Sequence, residues 1–384
     1  MDLKLFFNSV DENLAQKAFP NDSLFKFIYV NDHQMPDKDG LDIAIIGLNE
    51  IRGSESIKES GVDLIREKLY SLKKGSGACN IADLGNLRNG PTLEESYKRI
   101  QEVVYHLMEQ NILPVLIGGS QDLDIGQFMA YEEMDKLVNI LNIDARFDLL
   151  DDDNASPDVS HIHKILTYEP NYLFSYNHLA HQSYLVSPWA TKVLEQLNFN
   201  AIRLGNVREN IMKTEPLIRE ADMITFDVSA IQEHYCKAGS RTEVFGLTGE
   251  EACQISWYAG MNDKLSSAGF YEYDPSRDTD RNSSASTIAV MVWYFIEGYK
   301  NRKHEKGFQT NDYTKYVVSM ENTSESMVFY KSRLSEKWWM EIPNTSHKGI
   351  YDRNFIVPCD YDDYQIALKG ELPDRWINTI SKLS

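Results

Sequence analysis

Asp144 and Asp148 stand four residues apart in LVNILNIDARFDLLDDD, directly after an apolar run that reads as a buried strand. Arg146 lies midway between them. Three other apolar runs end in polar residues. IGGSQDLDIG places Ser120, Gln121 and Asp122 after one run, TFDVSA places Asp227 and Ser229 after another, and YEYDPSRD places Glu272 and Asp274 after a last. In open parallel α/β folds the carboxyl ends of strands line the ligand crevice, so side chains there are candidates for chemistry. Asp144, Asp148 and Asp227 form a hard-oxygen set suited to Mn²⁺, Mg²⁺ or Ca²⁺. One such aspartate alone is more often a helix cap or loop carboxylate; three at strand ends favour a metal site. Arg146 sits oddly in that set, because a guanidinium stays protonated even when buried.

The elements that must position these residues alternate in type. Apolar runs at 41–48, 80–87, 113–119, 137–144, 172–177, 201–206, 223–228 and 269–274 read as strands. Between them, 60–72 and 91–110 have helical spacing, and 284–300 is a strongly apolar last helix. Thr92 with Glu95, and Thr248 with Glu251, have the spacing of capping boxes. Strands alternating with helices predict a three-layer α/β/α domain with a mostly parallel sheet. Residues 1–40 read as a lead-in and 41–304 as the domain, with a polar linker over NRKHEKGFQTNDYT. Residues 305–384 are rich in aromatics and are expected to form an ordered C-terminal appendage docked on the domain. Trp338 and Trp339 are adjacent, so if they lie in a strand one of them is expected to be exposed.

The chain has 384 residues, 42% hydrophobic and 25% charged, within the ordinary globular range. Its formal net charge of −19 repels nucleic acid and anionic membranes. The first residues show no basic region followed by an apolar stretch, and the four cysteines are scattered. A cytoplasmic protein with reduced thiols is the expectation. Neither a phosphate loop nor a nucleophile elbow is present.

The order of the four strand-end segments resembles the ureohydrolases: arginase, agmatinase and formimidoylglutamase. That family carries Gly-Gly-Asp-His, Asp-Ala-His-x-Asp, Phe-Asp-x-Asp and Glu-x-Asn-Pro segments. The matching pieces are GGSQ (118–121), DARFD (144–148), FDVS (226–229) and EYDP (272–275). NIDARFDL and the late RDTDRNSSASTIAVMVW look most like formimidoylglutamase. The resemblance implies an arginase-like fold and a site for two Mn²⁺ ions, with a metal-bridging hydroxide as nucleophile. It also implies that Glu272 lies near the guanidino or formimino group of a small-molecule substrate. His161 or His163 would assist proton transfer, and a homo-oligomer would be the assembly.

Three positions depart from the family pattern. Gln121 and Arg146 replace histidines, and Ser229 replaces an aspartate. The first metal position would keep Asp144, Asp148 and Asp227 with Gln121, flanked by Ser120. The second would be lined by Asp144, Arg146, Asp227 and Ser229. Arg146 adds one positive charge and Ser229 removes one negative charge, together the charge of one divalent ion. Arg146 is therefore expected to replace the second metal and bridge Asp144 to Asp227. The site should hold at most one divalent cation (Mn²⁺ or Mg²⁺) or none, with two-metal hydrolysis weak or absent. The alternative is an active C–N hydrolase working with an altered site on formimidoylglutamate or a related small molecule.

Overall fold

The computed structural model describes residues 1–152, 154–305, 308, 311–320, 326–343 and 355–383. Among these, ten strands form one sheet. They are β1 (Phe7–Asn8), β2 (Ile28–Val30), β3 (Ile43–Leu48), β4 (Ile81–Leu87), β5 (Leu113–Ile117), β6 (Val138–Ile143), β7 (Leu173–His181), β8 (Asn200–Arg203), β9 (Met223–Asp227) and β10 (Ser267–Tyr271). The order is β1-β4-β3-β5-β10-β9-β6-β7-β8, with β2 also paired to β4. All pairings are parallel except β1 with β4. The lead-in therefore contributes two short strands at one edge of the sheet.

Burial on both faces explains the unbroken apolar runs. Along β3, Ile43 and Ile45 pack to one side, while Ala44, Ile46 and Leu48 pack to the other. The first side is covered by helices Val62–Ser71, Gly249–Met261 and Ser283–Lys300. Helices Leu93–Glu109, Asp124–Glu133, His161–Thr167 and Pro188–Gln196 cover the second. This is the expected three-layer α/β/α architecture. Both threonine capping boxes form: Thr92 Oγ1 accepts from Glu95 N at 3.2 Å and Thr248 Oγ1 from Glu251 N at 3.1 Å. The run at 201–206 is a strand only to Arg203, since Leu204–Glu209 turns into helix. No described helix is long and apolar enough to cross a membrane.

Consecutive strands β5 and β6 are separated in the sheet by β10 and β9. The order reverses here, which is where open α/β sheets leave a crevice at their carboxyl ends. The four segments singled out in the sequence follow β5, β10, β9 and β6, four neighbouring strands.

The C-terminal residues build a second sheet, antiparallel, of β11 (Tyr313–Ser319), β12 (Ser326–Ser332), β13 (Trp338–Ile342) and β14 (Phe355–Cys359). Four positions of the polar linker, 306–307 and 309–310, lie outside the described residues. Arg219 anchors this sheet, donating to the Trp338 carbonyl at 3.1 Å and the Cys359 carbonyl at 3.2 Å. Trp338 and Trp339 are both buried, against the expectation that one is exposed. Trp338 faces Tyr316 and Tyr364 on one side of β13, while Trp339 lies under Arg219 and beside Tyr313 on the other. Both faces of the strand are covered, so alternation does not force either ring into solvent.

Candidate active site

The turn after β5 is made by Gly118 and Gly119, at φ +89° and +75°. A side chain at Gly119 would come within 2.8 Å of the Glu50 carbonyl, so the left-handed turn needs glycine. The turn sets Gln121 beneath β10, where its backbone N–H donates to Glu272 Oε1 at 2.6 Å. Glu272 follows β10 at φ +71° and Asp148 follows β6 at φ +46°. Non-glycine residues in this region are strained, and such residues cluster at functional sites. Asp227 ends β9 and Asp144 directly follows β6. Gln121, Asp144, Asp227 and Glu272 are fully buried, and Asp148 is nearly so. Oxygens of Asp144, Asp148 and Asp227 come within 4.8 Å of one another.

A cation is already among them, and it is Arg241. Its Nη1 donates to Asp148 Oδ1 at 2.8 Å and its Nη2 to Asp148 Oδ2 at 2.7 Å. Nη2 also lies 3.7 Å from Asp227 Oδ2. This paired geometry is the strong form of a guanidinium–carboxylate contact. The expectation for Arg146 is corrected. Its side chain turns away from Asp144 and Asp227, pairing with Glu243 and donating through Nη1 to the Arg241 carbonyl at 3.0 Å. Only its backbone N–H reaches Asp144 Oδ1, at 3.1 Å. With Arg241 between Asp148 and Asp227, a second guanidinium there would face like-charge repulsion, whereas Glu243 offers it an opposite charge.

Ser229 is turned onto Asp227. Its N–H donates to Asp227 Oδ1 and its hydroxyl to Asp227 Oδ2, both at 2.6 Å. Gln121 Nε2 donates to Asn142 Oδ1 at 2.9 Å and Thr225 Oγ1 at 3.1 Å. Asn142 gives its own amide hydrogens to Tyr176, which fixes its oxygen toward Gln121. Gln121 Oε1 is left buried with no partner, as are Asp144 Oδ2, Glu272 Oε2 and the Ser120 hydroxyl. His161 is fully buried, with Nδ1 2.9 Å from Asp124 Oδ1 and Nε2 4.0 Å from Asp148 Oδ2. His163 instead sits 3.6 Å from Asp151, away from the cluster.

The electrostatics follow from these contacts. Burial works to raise the Asp148 carboxyl, but the charge and hydrogen bonds of Arg241 outweigh it and hold the pKa at about 2. Burial, then the neighbouring Asp148 and Asp227, push Asp144 well above the usual carboxylate range. Burial, then Asp227, does the same to Glu272. For His161, burial disfavours the imidazolium, yet Asp124 and Asp148 prevail and its pKa is raised.

A model of the arginase family matches residues 50–297 of this chain. The chain belongs to the arginase family. It is 24% identical over 319 residues to the formimidoylglutamase of Staphylococcus haemolyticus, a match spanning 76% of this chain and 97% of that protein. It is 20% identical over 322 residues to the formimidoylglutamase of Streptococcus gordonii, spanning 77% and 96%. Among solved structures it is similar to Trypanosoma cruzi formiminoglutamase with Mn²⁺, with a TM-score of 0.65 and 17% identity over 73% of this chain and 99% of that one. It is also similar to the formimidoylglutamase of Bacillus subtilis, with a TM-score of 0.66 and 16% identity over 75% and 96%. The family match ends at residue 297, before the C-terminal sheet.

In this arginase-family chain, the oxygens at the two expected ion positions are engaged to different degrees. The second position has a serine that donates to Asp227 and an arginine drawn off to Glu243. The first position is closer to a fit, since Gln121 Oε1 and Asp144 Oδ2 lack partners. Both oxygens of Asp148, however, are engaged by Arg241. Sequence reasoning brought together Gln121, Asp144, Asp148, Asp227, Ser229 and Glu272, and missed Arg241 and Asp124. Asp124 lies two residues past Asp122 in the same strand-end segment and was within reach of inspection. Arg241 lies in AGSRTEVFG, a loop whose spacing carries no signal for where it returns.

Proposed function

We propose that this chain is a formimidoylglutamase-like member of the arginase family with a degenerate site. It holds at most one divalent cation, binds a small molecule, and has weak or no two-metal hydrolase activity. The observation that carries the reading is the use of the Asp148 and Asp227 oxygens by Arg241 and Ser229. Hydrolysis of an amidine C–N bond at neutral pH needs a water made acidic and held against the carbon, which in this family is the task of paired metals. A guanidinium donates hydrogen bonds but offers no coordination position for a water. What the chain's own residues retain is a means of holding a polar ligand. Glu272 Oε2 and Asp144 Oδ2 are free to hydrogen-bond to it, and His161, whose pKa is raised by Asp124, has its Nε2 4.0 Å from Asp148.

The convergence of Glu272, His161 and the three aspartates favours a second reading, a hydrolase that works with one ion. Assay of purified protein with and without Mn²⁺ on formimidoylglutamate, arginine and agmatine separates the two. Background rates support the first reading, and Mn²⁺-dependent release of formamide or urea supports the second. On the family resemblance we also propose a cytoplasmic homo-oligomer, which sedimentation of the purified chain would test.

A further inference from the structure

We infer that Arg241 is the built-in cation of the acid cluster, delivered by a strap over residues 232–247, and that it competes with a divalent ion for Asp148 and Asp227. The inference rests on the degenerate-site reading above and names the device that regulates the same site. The strap closes on itself at its base. Gln232 N donates to the Leu247 carbonyl, Leu247 N to Ala230 and Glu233 N to Glu243, each at 2.9 Å. Its crest packs against the segment that follows β10. Ser240 N donates to the Glu272 carbonyl at 2.9 Å, and Arg277 Nη1 donates to Gly239 at 3.0 Å. At Gly239 a side chain would meet Ser229 Cα at 2.8 Å, so the strap lies directly against the end of β9.

The site and the strap fit each other. Arg146, at the place of a family histidine, binds the Arg241 carbonyl and Glu243 and so holds the strap in register. Arg146 is a positioning residue, acting through Arg241. The two arginines are more exposed than the carboxylates of the cluster, with side chains 21% and 14% exposed against 3% or less for Asp148 and Asp227. Arg241 therefore stands on the solvent side of the carboxylates. A hard cation needs the lone pairs of Asp148 that the guanidinium now occupies, and the two positive charges repel. One must leave for the other to bind.

The test is Mn²⁺ binding by titration calorimetry on the full chain, wild type beside Arg241→Ala, with thermal midpoints as a second readout. The expected result is Mn²⁺ binding to Arg241→Ala at least about tenfold tighter than to wild type. The variant's midpoint should fall without metal and recover with Mn²⁺. Ethylguanidinium, which replaces the deleted atoms, should raise the midpoint of the variant and weaken its Mn²⁺ binding. Equal Mn²⁺ affinity in the two proteins, or no binding by either, overturns the inference. Should Arg241→Ala fail to fold, Arg146→Gln carries the test: it keeps Arg241 but loosens the strap, so Mn²⁺ should bind more tightly than to wild type, and unchanged affinity overturns the inference. Mn²⁺-dependent hydrolysis by wild type would end the degenerate-site reading, whereas equal affinity would end only this one.

Discussion

Restoring a histidine at position 146 should not restore a second metal. A hard cation sits about 2.1 Å from its carboxylate oxygens. The Arg241 guanidinium nitrogens lie 2.7 to 2.8 Å from the Asp148 oxygens and 3.7 Å from an Asp227 oxygen. An ion sharing those carboxylates would stand roughly 4 Å from the guanidinium, and at an effective dielectric of about 20 the repulsion is about 8 kcal/mol. That is nearly six decades in affinity. Ser229 compounds the deficit, because it supplies no carboxylate and engages both oxygens of Asp227. Arg146→His loosens the hold on the strap but leaves Arg241 in the chain beside Asp148 and does not supply the carboxylate missing at Ser229. Elemental analysis after dialysis against Mn²⁺ should find no more than one ion per chain in wild type and in Arg146→His. A triple variant, Arg146→His with Ser229→Asp and Arg241→Ala, should bind more Mn²⁺ than either. Two ions in Arg146→His alone would refute the reasoning, since neither the repulsion nor the missing ligand would then matter.

In chelator, stability should peak at mildly acidic pH. Asp148, held at about 2 against 3.8 unfolded, contributes about 2 kcal/mol that is present above pH 3.8 and lost as pH falls through about 2. Asp144 and Glu272 have the opposite sign: their raised values mean stability declines as pH climbs from the unfolded carboxylate range toward their folded values, by up to about 1.4 kcal/mol per pH unit for each proton. Thermal midpoints from pH 4 to 8 should fall, and Asp144→Asn should flatten the slope; an unchanged slope in that variant contradicts the assignment. Arg219→Ala should loosen the C-terminal sheet, because it removes two carbonyl contacts, the cover over Trp339 and one of the two cations on Glu215, which keeps Lys337. Faster hydrogen exchange over 313–319, 326–332 and 338–342 with little change in β5 and β9 is the expected pattern. Glu272→Gln should weaken binding of a cationic amidine, because it can turn the unpartnered Oε2 acceptor into an N–H donor while the other oxygen still accepts from Gln121 N; calorimetry with agmatine would show it.

The parts of the molecule legible in sequence are those fixed by local periodicity. Strands buried on both faces, such as Ile43–Leu48 and Leu113–Ile117, read as unbroken apolar runs, and their polar ends could be named before their neighbours were known. The capping boxes at Thr92 and Thr248 were visible for the same reason, because the hydrogen bonds they make span three residues. The tryptophan pair misled because burial on the second face of β13 comes from Arg219 and Tyr313, far away in the chain.

The misplacement of the cation has the same root. Arg146, at the place of a family histidine, and Ser229, at the place of an aspartate, together change the charge by that of one divalent ion, which pointed to Arg146 as the replacing cation. Residues 144, 146 and 148 would share one side if β6 continued, because side chains alternate along a strand. The strand ends at Ile143, and Asp148 takes a left-handed backbone at φ +46°. The chain therefore turns, the carboxylates stay in the crevice, and Arg146 is carried out to Glu243. The charge it was expected to supply comes from Arg241, 93 residues beyond Asp148, on a strap whose path depends on Gly239 lying against Ser229. Two of the three departures from the family pattern, Arg146 and Ser229, thus meet at the strap. Ser229 turns its hydroxyl onto Asp227 while its backbone lies against Gly239 of the strap. The arginine in place of the histidine fastens that strap, and the strap brings in a permanent charge where an exchangeable one would sit.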